Sequence, residues 1–186
     1  MYYFKPIVTP VGELKLVASD SGLAGILWEN DDPKRTRFLP QTRDDDHPIL
    51  IETERQLSEY FTGARRCFEL PLDFVGTEFQ KKVWQALVAI PFGETRSYSQ
   101  IAREIGHPLA VRAVGAANGR NPLSIVAPCH RVIGANGKLT GFAGGLDIKA
   151  FLLALEAPQK PLVLADETQP GRVGCLLYTS PSPRDA

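Results

Sequence analysis

The hydrophobic and polar positions of this chain change period as it proceeds. Over residues 1–30, Leu14-Lys15-Leu16-Val17 and Leu23-Ala24-Gly25-Ile26-Leu27-Trp28 flank Ser19-Asp20-Ser21-Gly22. Strand-like alternation around a turn signal predicts antiparallel hairpins. Asp31 to His47 is polar, with aspartates at 44, 45 and 46, and reads as a loop. From Ile49 to Phe61 the spacing becomes helical. Leu50, Leu57, Tyr60 and Phe61 share a face with Thr53 between them, and Gly63 can end the helix. Glu69 to Phe74 is a short extended link. From Thr77, the predicted N-cap, Phe79, Val83, Trp84, Leu87 and Val88 form a second helical stripe that ends near Pro91. Ser97 to Gly106 and Ala110 to Asn118 then read as two short helices around the His107-Pro108 turn. Such a pair is a helix-turn-helix candidate, although many helical pairs do the same without touching DNA. Ile125-Val126-Ala127 has strand character and stops at Pro128.

This order of elements predicts an α+β chain. Residues 1–73 form an α/β domain and residues 74–157 a mostly helical one, with residues 158–186 left as a tail. Charge changes sign at the same boundary. Residues 1–73 hold nine Lys/Arg and thirteen Asp/Glu, and residues 74–157 hold nine and five. The second half is therefore net basic, which suits a polyanionic partner or a plain solvated bias. No stretch approaches the roughly 20 apolar residues that span a bilayer. The N-terminus lacks the basic-then-apolar order of a signal peptide. Three cysteines at unrelated spacings (67, 129 and 175) make neither a disulfide framework nor a metal set. A monomer in a reducing cytoplasm, with no cofactor and no metal, is the expectation.

The chemistry concentrates at Pro128-Cys129-His130-Arg131. A thiol beside a histidine and an arginine is placed for thiolate formation, and the thiolate is the nucleophile. The competing reading is a small buried cysteine. Taken one at a time, other residues also have ordinary alternatives: a core histidine for His130, an exposed helix end for Glu156, a solvated cation for Arg112, a core ring for Tyr98 and a turn residue for Asn121.

Three segments occur in order and close together: Ser97-Tyr98-Ser99-Gln100-Ile101-Ala102, Arg112-Ala113-Val114-Gly115-Ala116-Ala117-Asn118-Gly119-Arg120-Asn121-Pro122, and Pro128-Cys129-His130-Arg131-Val132. With Gly141 to Leu146, Lys149 and Glu156, they resemble the O6-alkylguanine-DNA alkyltransferases. The resemblance covers roughly residues 1–157. It implies a ribonuclease-H-like α/β domain followed by a helical domain with a winged-helix-like helix-turn-helix. It also implies DNA repair: an alkyl group moves irreversibly from O6-alkylguanine in double-stranded DNA, with O4-alkylthymine a further substrate in some members, to one cysteine used once.

By the same resemblance, Cys129 accepts the alkyl group, His130 draws the thiol proton through a water, and Glu156 holds the imidazole. Arg112 fills the space of the flipped base, with Ala113, Gly115 and Arg120 on the DNA face. Tyr98 presses on a phosphate and donates to guanine N3. Asn121 links the recognition helix to the cysteine segment. Val132 and Cys129 offer carbonyls to the guanine amino group, and Phe142, Ala143 and Gly144 line the pocket. Arg131 is expected in a structural ion pair. The rival readings are a non-catalytic lesion binder of the same fold, whose members replace the cysteine, and a cysteine hydrolase, which has no use for Arg112 on a helix-turn-helix. Residues 175–186 show no structural period and read as a segment appended after a truncation near Gly174.

Overall fold

The computed structural model describes residues 1–36, 38 and 41–158. The expectations for the tail and for Cys175 lie outside these residues. Strands β1 (Tyr2–Thr9), β2 (Gly12–Ala18) and β3 (Leu23–Trp28) form the antiparallel meander that the alternation predicted. Gly12, at φ +100, allows the tight β1–β2 turn. Ser19 accepts from the backbone N–H groups of Ser21 and Gly22 and donates to Asp73, tying the second turn to the interdomain link.

The loop reading of 31–47 needs correction. Gln41–Arg43 forms a short strand, β4, which pairs in parallel with the edge of β1, so the sheet order is β3-β2-β1-β4. Three polar residues carry no periodicity; pairing with β1 across the chain supplies the structure. Helix α1 (Pro48–Phe61) crosses this sheet with Leu50, Thr53, Gln56, Leu57 and Tyr60 buried. His47 caps it through Nδ1, and Pro48 occupies the first helical turn, where a missing N–H costs nothing.

The second half begins at α2 (Glu78–Val88), capped by a reciprocal box between Thr77 and Gln80. A second box, Ser97 with Gln100, starts α3 (Tyr98–Glu104). Gly106 at φ +80 makes the turn into α4 (Val111–Gly119). Trp84 on α2 donates its indole N–H to Ala117 O, locking α2 against α4. The strands β5 (Arg96–Ser97) and β6 (Val132–Ile133) pair in parallel, and α5 (Leu146–Glu156) closes the fold.

The expected strand at Ile125–Ala127 is absent. The segment folds as overlapping turns: Val126 N donates to Ser124 O, and Ala127 N donates to Leu123 O. Its apolar character reflects burial rather than pairing. Leu123, Ile125 and Val126 pack into the same core as the sheet and α1. A second core gathers Val83, Trp84, Leu87, Ile101, Val114 and Ala117 around Cys129 and Val132.

Candidate active site

Cys129 opens a single 3-10 turn, Cys129–Arg131, and is 4% exposed. The overlapping turns before it are held by Asn121, whose Nδ2 donates to Ala127 O (2.7 Å) while its Oδ1 accepts from Leu123 N (3.0 Å). Asn121 follows directly on α4, so one side chain joins the helix-turn-helix to the thiol. Within these turns Ile125 sits at φ +73, the one non-glycine with positive φ among the described residues. A β-branched residue there costs on the order of 1–3 kcal/mol, and such strain persists only where packing imposes it.

The sequence placed Cys129 beside cations that favour the thiolate. The structure corrects this. Burial pushes the Cys129 thiol up, and hydrogen bonding by Asn121 and Ser124 and the charges of Arg35 and Lys149 oppose it only in part. The adjacent cation, Arg131, faces away: it grips Glu156 through Nε (2.7 Å) and Nη2 (3.0 Å) and donates Nη1 to Ile90 O (2.6 Å). The resting sulfur is therefore a thiol that must lose its proton during reaction. Cys129 is the free thiol of the described residues.

His130 is fully buried, and its Nε2 lies 2.7 Å from Glu156 Oε2. Burial lowers the imidazole pKa, with Arg131 and Lys149 adding to the effect and Glu156 opposing it. The ring is thus neutral at neutral pH. Its Nδ1 is buried with no hydrogen-bond partner among the described residues. Glu156 is 2% exposed, far from the bland helix-end alternative. Burial alone would raise its carboxyl, but hydrogen bonds from His130 and Arg131 outweigh that and hold it at about 2.

The remaining residues fall into two groups. Arg112, Ala113 and Arg120 are exposed on or beside α4, and Gly115 on the same helix lies over the Tyr98 ring. Arg120 also leans toward Lys34 O. Tyr98 contacts Thr140 through paired hydroxyls at 2.5 Å. Around the thiol, Val132 O accepts from Lys149 Nζ (2.6 Å), and Cys129 O accepts from Val132 N. Each carbonyl retains one further lone pair for a base edge. Phe142 packs edge-on against Trp28, 5.4 Å between centroids. A Cβ on Gly144 would fall 2.9 Å from both rings, so only glycine fits there. Ala143 is exposed beside them.

Sequence reading missed four residues. Trp28 donates to the buried Ser124 hydroxyl (3.0 Å), leaving that hydroxyl's own proton for Cys129. Arg35, fixed bidentately by Asp31, donates to Asn121 O. Tyr60 on α1 donates to Glu156 Oε2 (2.5 Å). These contacts join residues 86 to 96 positions apart, so no local spacing announces them.

A buried cysteine, histidine and glutamate thus lie beneath a pair of short helices in helix-turn-helix order, an arrangement suited to thiol group transfer. The comparisons sharpen this class. Residues 2–74 match the ribonuclease-like domain of 6-O-methylguanine DNA methyltransferase, and residues 78–158 match its DNA binding domain. A methylated-DNA–protein-cysteine methyltransferase of Methanosarcina acetivorans is 49% identical over 154 residues, 83% of this chain and 97% of that protein. The constitutive protein of that name from Bacillus subtilis is 49% identical over 158 residues, covering 84% and 96%. The crystal structure of Mycobacterium tuberculosis OGT in complex with DNA superposes with a TM-score of 0.76 at 45% identity, covering 84% of this chain and 95% of that one. The chain belongs to the 6-O-methylguanine DNA methyltransferase family. Among the described residues, no helix is long and apolar enough to cross a membrane.

Proposed function

We propose that this protein repairs duplex DNA by moving the alkyl group of O6-alkylguanine onto Cys129 Sγ, once per molecule. The observation that carries this reading is the continuous chain of contacts from α4 through Asn121 to the thiol turn, and from His130 to Glu156. The O6 atom of a stacked guanine cannot reach a sulfur that is 4% exposed, so the base must leave the stack, at a cost of a few kcal/mol. Arg112, with Ala113 and Gly115 beside it, occupies the space the base vacates. Arg120 serves the phosphates.

In the pocket, the second lone pairs of the Cys129 and Val132 carbonyls receive the guanine amino group. Phe142, Ala143 and Gly144 form the wall. His130 Nδ1 takes the thiol proton, directly or through one water, and Glu156 stabilises the imidazolium that results. The sulfur attacks the alkyl carbon as its bond to O6 breaks. The electron pair passes into the purine ring, and Tyr98, released from Thr140, donates to N3. The thiol proton ends on the guanine, and the sulfur becomes a neutral thioether with no leaving route. O4-alkylthymine is a second substrate of the same chemistry. The reaction belongs in the cytoplasm.

The test is stoichiometry. Excess O6-methylguanine duplex should give one burst of at most one repaired base per protein, with one methyl mass located at Cys129. Turnover beyond one equivalent, or methyl mass on another residue, would falsify the reading.

A further inference from the structure

We infer that Tyr60 is a positioning residue of the transfer relay: its hydroxyl, donated to Glu156 Oε2 beside His130 Nε2, sets how strongly that carboxylate pulls on the imidazole. The inference rests on the proposed roles of Cys129, His130 and Glu156.

Tyr60 lies on α1, in the first half of the chain, and reaches across to the relay carboxylate of the second. It follows Thr53 and Leu57 on the buried face of that helix. Its ring is enclosed by Phe61, Phe68 and Phe92, at centroid distances of 5.3, 5.4 and 6.4 Å. Burial and the neighbouring Glu156 push the phenol far above its ordinary value, so the group stays a donor throughout the working pH range.

Glu156 Oε2 receives three donors: Tyr60 Oη at 2.5 Å, His130 Nε2 at 2.7 Å and Arg131 Nη2 at 3.0 Å. A carboxylate oxygen offers about two lone-pair sites, so the three compete. Arg131 also holds Oε1, which keeps the carboxylate in place whether or not Tyr60 contributes. Tyr60 therefore adjusts the charge that His130 meets more than it anchors the carboxylate. The other charged groups facing the imidazole, Arg131 and Lys149, both disfavour its protonation. Tyr60 works in the same direction, because each donor to Oε2 weakens the counter-charge available to an imidazolium. The result is a base that stays unprotonated, and so able to accept the thiol proton, below the ordinary histidine range.

The sign of the test follows. Removing the Tyr60 hydroxyl gives His130 a larger share of Oε2 and raises the imidazole pKa. The chain has three histidines, so the 15N resonances of each ring can be followed in the full-length unreacted protein, with His130 assigned from the His130→Gln spectrum. Tyr60→Phe should raise the His130 pKa by about 0.5 unit or more. The low-pH limb of the single-turnover transfer rate should move up by the same amount. Site-specific 3-fluorotyrosine at position 60, a stronger donor of nearly unchanged shape, should move both downward and covers the case in which the phenylalanine variant does not fold. A His130 titration that is the same in both proteins overturns the inference and leaves Tyr60 a packing residue. If Glu156→Gln and His130→Ala leave the transfer rate intact, the relay itself is overturned instead.

Discussion

The thiol turn and the recognition helix are joined by one asparagine, yet they are built in opposite ways. Around Cys129 the polar groups are buried and, except for His130 Nδ1, matched: Arg131 to Glu156 and Ile90 O, Lys149 to two carbonyls, Asn121 to both sides of its turn. Along α4, Arg112, Ala113 and Ala116 face outward, small side chains around one long cation. The difference teaches where each task stores its energy. The reactive centre is organised before substrate arrives, so its groups need little rearrangement. On the proposed reading the helix holds its contacts in reserve for a DNA groove, whose minor side carries a degenerate code.

The largest effect that tests this contrast comes from the sulfur itself. Cys129→Ser should abolish transfer while damaged duplex still binds, as followed by a gel-shift titration alongside the repair assay. An alkoxide is far harder to form than a thiolate, whereas α4 is untouched. Loss of binding as well would mean that recognition and chemistry are not separable. Next, His130→Ala should slow the burst by about 10²- to 10⁴-fold, the usual contribution of a general base, without changing its final height. A lower plateau in rapid-quench data would instead indicate inactive protein.

On the recognition side, Arg112→Ala should slow repair of duplex by on the order of 10²-fold, the scale of a base-flipping cost, and leave reaction with free O6-benzylguanine nearly unchanged. Equal losses on both substrates would assign Arg112 to the fold or the pocket. The smallest effect is acid sensitivity of the buried side. The His130 and Glu156 pKa values are both lowered on folding, so the unfolded chain binds more protons and stability falls with acidification. The first step begins as pH drops through about 6.5, where the unfolded imidazole charges and the buried one does not. The second runs from about 4.5 down toward 2, as the unfolded carboxyl protonates ahead of Glu156. Melting temperature should follow at roughly 2–4 °C per kcal/mol, and His130→Gln should remove the first step.

Where an element is encoded by neighbours in the chain, it was legible. Thr77 and Ser97 mark helix starts in the sequence, and Gly106 marks the turn between the two short helices; the reciprocal bonds from Gln80 and Gln100 appear only in the structure. The cysteine motif stood out from its own residues, and its glutamate partner came through the resemblance. What escaped depends on distant pairing. Strand β4 exists because β1 has a free edge. Ile125 to Ala127 look like a strand because they are buried, and burial alone does not distinguish a strand from a packed turn. The inference that adjacent cations activate Cys129 failed for a related reason: Arg131 is next in sequence but turned toward Glu156, while Arg35 and Lys149, remote in sequence, are the cations whose charge reaches the sulfur.

The segment that leads into the thiol turn, residues 122–126, lies in the second half of the chain but is held by the first through both backbone and side chains. Leu123 bridges to Ile26 of β3, Ile26 N donates to Pro122 O, and Ile125 and Val126 fill the core under the sheet. For anyone dividing this protein into modules, the cut between residues 74 and 78 is a poor one. A fragment ending there would keep its strands and α1 but lose the plug that seals them, exposing the apolar floor of β2 and β3. Co-expressed halves, or a circular permutant opened at an exposed loop, would preserve that plug; the isolated first half would be an aggregation hazard rather than a spare part.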